Sequence, residues 1–204
     1  MTETLCCLPA NHVDTLGLGE GFTPLDSGAV ERLLTSEQLW LGPRNWLETD
    51  ERFRQLVSYM VVSFEDQVLV YRRTKKGGEG RLHGLLSLGV GGHVNIGDVS
   101  QEGEGIDPTA TVFSACQREL GEEIRVPDGN FTGVLGIIKQ SDNEVSRVHL
   151  GVVVGYRTPR PEVTVIDPGL TEARFVSPSA LPALVQEMET WSASLVSFLV
   201  GAAR

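Results

Sequence analysis

Three carboxylates and a guanidinium fall in one short run, Arg118-Glu119-Leu120-Gly121-Glu122-Glu123. The stretch around it, Ala110 to Val126, reads as a helix. Asp107-Pro108 supplies an N-cap and first-turn signal, and Pro127 ends the pattern. At about 100° per residue, Phe113, Cys116, Leu120 and Ile124 share one face. Glu119, Glu122 and Glu123 fall within an arc of roughly 100° on another. Like charges on neighbouring turns repel, so something must compensate them. Mg²⁺ would do so: it takes oxygen ligands and is usually held by one or two carboxylates together with waters and substrate phosphates. Arg118, four residues before Glu122, can pair with it or fix neighbouring backbone. A solvated acidic helix face carries the same E-x-x-E-E pattern, so context has to separate the two.

The context is a glycine-rich segment upstream, Gly91-Gly92-His93-Val94-Asn95-Ile96-Gly97-Asp98. Gly92 with Asp98 six residues on, followed by Arg118-Glu119-Leu120-Gly121-Glu122-Glu123, resembles the Nudix box, G-x5-E-x7-R-E-U-x-E-E-x-G-U with U aliphatic. The resemblance implies a Nudix-type α/β/α sandwich with a mixed sheet, α/β (α+β) in class. It implies a pyrophosphohydrolase acting on phosphorus-containing anhydrides, with Mg²⁺ or Mn²⁺ as cofactor. The expected substrate is a nucleoside diphosphate linked to another group. Glu119, Glu122 and Glu123 would be the metal ligands, with Gly92 helping through its carbonyl. Glu122, Glu123 and Arg118 would be the catalytic residues of the motif. The match departs from the family pattern in three places. The first acid is Asp98 rather than Glu. Nineteen residues separate Asp98 from Arg118 where the family has seven. The last glycine position is Arg125. The extra stretch, roughly Val99 to Ala110, contains Glu102, Gly103, Glu104, Gly105 and Asp107 and reads as a loop. Lengthening a loop between two fixed elements costs little.

The elements that must position these groups can be followed along the chain. Residues 1–25 give little signal beyond a short strand. Asp26-Ser27 caps one or two short helices reaching about Leu41, and Gly42-Pro43 breaks them. Trp40 and Trp46 bracket the break, either packing the N-terminal segment or walling a nucleobase. Gln55–Phe64 and Gln67–Arg73 read as a hairpin, and Leu85–Val90 as a strand feeding Gly91-Gly92. Between them, Arg72 to Arg81 holds five of the seventeen basic residues, so Arg72 and Arg81 are candidate phosphate contacts, or a solvated turn. Gly91 and His93 are further substrate-side candidates, His93 as an acid or base or as a structural residue. Phe131–Lys139 and Arg147–Tyr156 are two more strands. The loop between them carries Glu144, which by resemblance to the ADP-ribose branch of the family is a candidate general base; Glu162, Asp167 and Glu172 are weaker candidates. Leu181–Met188 and Trp191–Val200 read as closing helices, the second apolar enough to cap the core or make a homodimer contact.

Composition bounds the rest. The 204 residues suit one domain, read as an N-terminal extension, 1–50, packed on a Nudix domain, 51–204. A net charge of −10 disfavours nucleic-acid binding, which needs a basic footprint, but leaves a phosphate-bearing small molecule open if a metal supplies the positive charge. Cys6, Cys7 and Cys116 are odd in number and unsuited to a disulfide framework. The start of the chain shows no basic-then-apolar leader and no apolar run approaches the ~20 residues of a membrane span, so a cytoplasmic location without membrane contact is expected. A nucleotide or nucleotide-sugar sensor without turnover is the alternative function. The three retained carboxylates favour an enzyme.

Overall fold

The computed structural model describes residues 2–77, 80–103 and 105–202. The N-terminal segment forms β1 (Thr4–Pro9), α1 (Ala10–Asp14), β2 (Gly21–Pro24), α2 (Ser27–Leu33), β3 (Trp40–Pro43) and α3 (Arg44–Leu47). Asp26 caps α2 by accepting from the Ala29 amide at 2.7 Å. The hairpin follows as β4 (Phe53–Phe64) and β5 (Gln67–Arg73), with Glu65 at φ 51° in its tight turn.

β4 and β5 pair only near the turn, at Ser63–Val68 and Phe64–Gln67. Beyond it they part, and the expected strand at Leu85–Val90 runs between them in two pieces. These are β6 (Leu86–Ser87) on β5 and β7 (Gly89–Val90) on β4. The chain then continues along β4, with the Ser58 amide donating to the Gly92 carbonyl and the Val94 amide to that of Leu56, both at 2.9 Å. The glycine segment is thereby laid against the centre of the sheet.

The Val99–Ala110 stretch is not the loop expected. It contains a hairpin, β8 (Ser100–Glu102) and β9 (Gly105–Asp107), turned by Gly103 at φ 59°, a left-handed conformation that glycine adopts freely. Glu104 lies outside the described residues. The helix α4 (Pro108–Glu123) starts where Asp107 accepts from the Ala110 amide at 2.9 Å. It ends three residues short of Val126, because Ile124 turns extended and β10 (Ile124–Arg125) pairs elsewhere.

The remaining elements are β11 (Asn130–Lys139), β12 (His149–Arg157), β13 (Thr164–Val165), β14 (Leu170–Val176) and α5 (Thr190–Ala202). Leu181–Met188 is not a regular helix. It forms 3₁₀ turns at Pro178–Ala183 and Val185–Glu187, since Pro182 cannot donate the helical hydrogen bond.

The main sheet runs β14-β5-β4-β12-β11-β2, with β1 joining β4 and β3 joining β1. β4 and β12 are parallel and the other named pairs antiparallel, so the sheet is mixed. Alternation along β4 divides the core. Leu56, Met60 and Val62 face the layer holding α4, with Val112, Cys116 and Leu120. Tyr59 and Val61 face the layer holding α5, with Leu195, Val196 and Leu199. The fold is an α+β sandwich, and α5 caps this second core. Among the described residues no helix is long and apolar enough to cross a membrane. All three cysteines are buried and free.

Candidate active site

The carboxylate face of α4 meets the glycine segment. Glu119 and Glu123 are largely withdrawn from solvent, whereas the Glu122 side chain is 60% exposed. A Cβ added at Gly92 would sit 2.6 Å from Glu119 Oε1, so glycine is needed for this approach. The Gly91 amide donates to Glu123 Oε2 at 3.3 Å. Burial pushes the Glu123 carboxyl up to about 7, against the opposing pull of the Arg73 charge. Burial likewise raises Glu119, opposed by Arg118.

Arg118 holds the site together. Its Nε and Nη2 donate to the two oxygens of Asp98 at 2.8 and 2.9 Å, and Nη2 also donates to the His93 carbonyl at 2.9 Å. Nη1 reaches Glu119 at 2.5 Å and Glu122 at 3.4 Å. The expected pairing with Glu122 is present, yet the stronger partner is Asp98, whose hydrogen bonds help keep the guanidinium charged. Asp98 is 5% exposed and also accepts from the Asn95 amide at 2.9 Å, closing a capping box on the Ile96–Asp98 turn. The first acid thus anchors Arg118. The long insert leaves this link intact because its hairpin lies between Asp98 and α4.

The Gly92 carbonyl accepts from the Ser58 amide at 2.9 Å and from Ser58 Oγ at 3.2 Å. These bonds tie the Gly92 backbone to β4, and its missing side chain leaves room for Glu119. Among the described residues, no three His, Cys, Asp or Glu side chains form a ready-made metal cage. The donor set still suits a hard cation: two carboxylates raised by burial adjoin an exposed third, and one guanidinium is shared between Glu119 and Glu122.

On its other side the glycine segment borders a cleft of about 290 Å³ on the α5 face of the sheet. Gly91, Gly92, His93 and Arg81 all line it. Arg81 also donates to Asn143 Oδ1 at 3.3 Å, across the cleft. Gly78 and Glu79 of the basic segment lie outside the described residues. Arg72 does not reach the cleft. It is held instead by Glu172 at 3.0 Å and Glu187 at 2.8 Å. Its neighbour Arg73 lines the cleft instead, bound to Ser87 Oγ and the Tyr71 hydroxyl at 3.1 and 3.2 Å.

Glu144 is exposed on the loop whose residues Asn143, Val145 and Ser146 wall the cleft, but is not itself in the wall. Among the weaker candidates, Glu162 pairs with Arg160 at 3.8 Å, Glu172 holds Arg72, and Asp167 caps the Gly169 amide at 2.7 Å. Trp40 and Trp46 are exposed and away from the cleft wall.

Sequence reasoning missed Arg44, Arg73, His149 and Trp191 as cleft residues. His149 Nδ1 lies 2.6 Å from the Val145 carbonyl, to which it donates, and its Nε2 pairs with His93 Nε2 at 2.9 Å. Burial, and next the neighbouring His149, lower His93 to about 4, leaving the His93 ring neutral near pH 7.

The model of the NUDIX domain matches residues 53–197. Protein YmaB of Bacillus subtilis (strain 168) is 34% identical over 158 residues, which cover 74% of each chain. The crystal structure of Tm1382, described as a candidate Nudix hydrolase, superposes with a TM-score of 0.77 at 28% identity, over 98% of this chain and 100% of that one. The NUDIX domain of Shewanella oneidensis NrtR, solved with ADP ribose, shares the fold: TM-score 0.53, 12% identity, 74% of this chain and 89% of that one. With its glycine segment, R-E-L-x-E-E helix and sandwich, the chain belongs to the Nudix family and is a hydrolase of phosphorus-containing anhydrides.

Proposed function

We propose that this protein is a Mg²⁺- or Mn²⁺-dependent hydrolase that cleaves the diphosphate linkage of a nucleoside diphosphate joined to another group. The observation that carries the proposal is the meeting of Glu119 and Glu123 with a glycine segment whose other side lines a cleft. Two neighbours of the same fold support the ligand class. NrtR was solved with ADP ribose. A bifunctional NMN adenylyltransferase/ADP ribose pyrophosphatase of Francisella tularensis was solved with AMP and Mn.

Glu119, Glu122 and Glu123 would hold the cation, which supplies positive charge to the diphosphate and an acidified water. Arg118 and Asp98 keep Glu119 and the His93 backbone in register, acting as positioning residues. Arg73 and Arg81 face the incoming phosphates from the cleft. Glu122, the exposed member, takes a proton from the attacking water. The water oxygen bonds to phosphorus as the bridging P–O bond breaks. The proton passes to the departing oxygen.

The test is a hydrolysis screen with Mg²⁺ and then Mn²⁺ against nucleoside triphosphates, ADP-ribose, NAD, nucleotide-sugars, dinucleoside polyphosphates and coenzyme A, with Glu122→Gln as control. The expected result is one substrate class whose product disappears in the variant. Metal-dependent binding without turnover of any compound would refute hydrolysis and leave a nucleotide-binding module.

A further inference from the structure

We propose that His93 and His149 form a second metal site, inside the cleft, for a late first-row transition ion such as Zn²⁺ or Ni²⁺, and that an ion bound there blocks the cleft. The site is separate from the carboxylates of α4 and uses a different class of ligand. Its existence does not depend on the hydrolase reading; only the blocking of turnover rests on that reading.

The sheet brings the two rings together. His93, on the glycine segment, bridges Val57 of β4, and His149 of β12 is the parallel partner of Gln55, two residues earlier on β4. The histidines thus come from opposite flanks of one strand. Their rings meet over it, centroids 5.1 Å apart and tilted by 48°, with Nε2 facing Nε2 at 2.9 Å. Two nitrogens each about 2.05 Å from one ion stand about 2.9 Å apart at a right angle and about 3.3 Å apart at the tetrahedral angle. The observed separation matches the tetragonal arrangement of Ni²⁺ or Cu²⁺. An outward turn of the rings by about 0.4 Å gives that of Zn²⁺.

His149 is already oriented as a ligand. Its Nδ1 donates to the Val145 carbonyl at 2.6 Å. This is the outer hydrogen bond that fixes ring and tautomer in metal-bound histidines and keeps Nε2 for the ion. The proton between the two Nε2 atoms shifts through solvent to Nδ1 of His93 as the ion takes its place, so both rings bind neutral. A further polar group lies beneath them. Gln55 shares its face of β4 with Val57, which lines the cleft, and is fully buried. Among the described residues neither Oε1 nor Nε2 of Gln55 has a hydrogen-bond partner. A buried amide left unpaired is costly, and such a group calls for a water or an ion beside it. A water carried on the ion donates to Gln55 Oε1.

The charges around the pair admit a cation. Arg44 acts on His93 but is tied to Glu3 at 2.9 Å and Glu48 at 2.8 Å, so one guanidinium stands against two carboxylates. Arg73 and Arg81 line the cleft as well, and Glu189 lies in the same wall. Imidazole nitrogen suits Zn²⁺, Ni²⁺ and Cu²⁺, whereas Mg²⁺ keeps to oxygen, so the histidine pair and the α4 carboxylates select different ions. An ion carrying three or four waters, at about 30 Å³ each, fills roughly a third of the cleft of about 290 Å³. It would therefore obstruct whatever enters between Arg81 and the glycine segment.

The experiment uses the full chain, freed of metal and then held in excess Mg²⁺ to occupy the carboxylates. Ni²⁺ and Zn²⁺ are titrated by calorimetry into the native protein, His149→Gln and His12→Gln, the last a control outside the cleft wall. One ion per chain is expected, bound at least about tenfold more weakly by His149→Gln and equally by His12→Gln. A second measurement on the native protein covers a variant that fails to fold. Zn²⁺ should slow the modification of His149 by diethyl pyrocarbonate several-fold, read by mass spectrometry. Equal affinity in native protein and His149→Gln, no binding in excess Mg²⁺, or no protection of His149 overturns the site. Ni²⁺ should also inhibit hydrolysis of the substrate found in the screen, with at least about tenfold more needed for His149→Gln. Binding that leaves turnover untouched overturns the blocking role. Binding in a protein that hydrolyses nothing would refute the proposed activity while leaving the metal site standing.

Discussion

Replacing Glu123 by Gln should stabilise the protein and abolish its activity at once. The carboxyl is 9% exposed and burial raises it from its ordinary 4.5 to about 7. A raised acid is protonated in the folded state where the unfolded chain has already ionised, so its contribution is fully present below about pH 4.5. It is lost as pH rises through 7. The difference between those two values, at 1.36 kcal/mol per pH unit, comes to ~3 kcal/mol. The favourable Gly91 amide contact survives the change, because the Gln oxygen can accept it. Urea unfolding in chelator at pH 5, 6.5 and 8 is the assay. The native protein should lose ~3 kcal/mol across the series relative to Glu123→Gln, and hydrolysis by the variant should fall by orders of magnitude. Added Mg²⁺ should stabilise the native protein more at pH 8 than at pH 6, since the cation must displace the proton. Parallel pH profiles for the two proteins would refute the assignment of a buried, strained carboxylate to this position.

Four further outcomes are expected. Gly92→Ala places a methyl 2.6 Å from Glu119 Oε1 and should raise the Mg²⁺ concentration needed for half-maximal activity. Gly121→Ala, on α4 with open space around it, should leave that concentration unchanged and stabilise the helix by roughly 0.5–1 kcal/mol in thermal melts. Asp98→Ala strips the partly buried Arg118 of its two-point partner and should cost about 3 kcal/mol in urea unfolding, near the lower figure for breaking such a pair. Glu122→Gln alters a carboxylate 60% exposed, so it should change stability by no more than about 0.5 kcal/mol while removing activity.

The amino-acid pattern carried α4 almost whole. Its cap, its apolar face and its carboxylate face follow from a period that repeats within the helix, and Asp107 caps it as its type requires. The hairpin of β4 and β5 was legible for the same local reason. The insert was not, because a three-residue strand on each side of one glycine gives too short an alternation to separate from a loop. The choice between Arg72 and Arg73 was also hidden. Val68, Leu69, Val70 and Tyr71 are all buried, so β5 is apolar on both faces and shows no alternation to read.

The cleft belongs to tertiary structure alone. Arg44, His93, His149 and Trp191 come from four distant segments, and no local period relates them. What unites them is the pairing of β4 with β12 on one side and with the glycine segment on the other. The sequence determined the chemistry of the carboxylates because three of them ride one helix. Only the folded sheet decided what they face, because strand pairing sets which distant residues share a row.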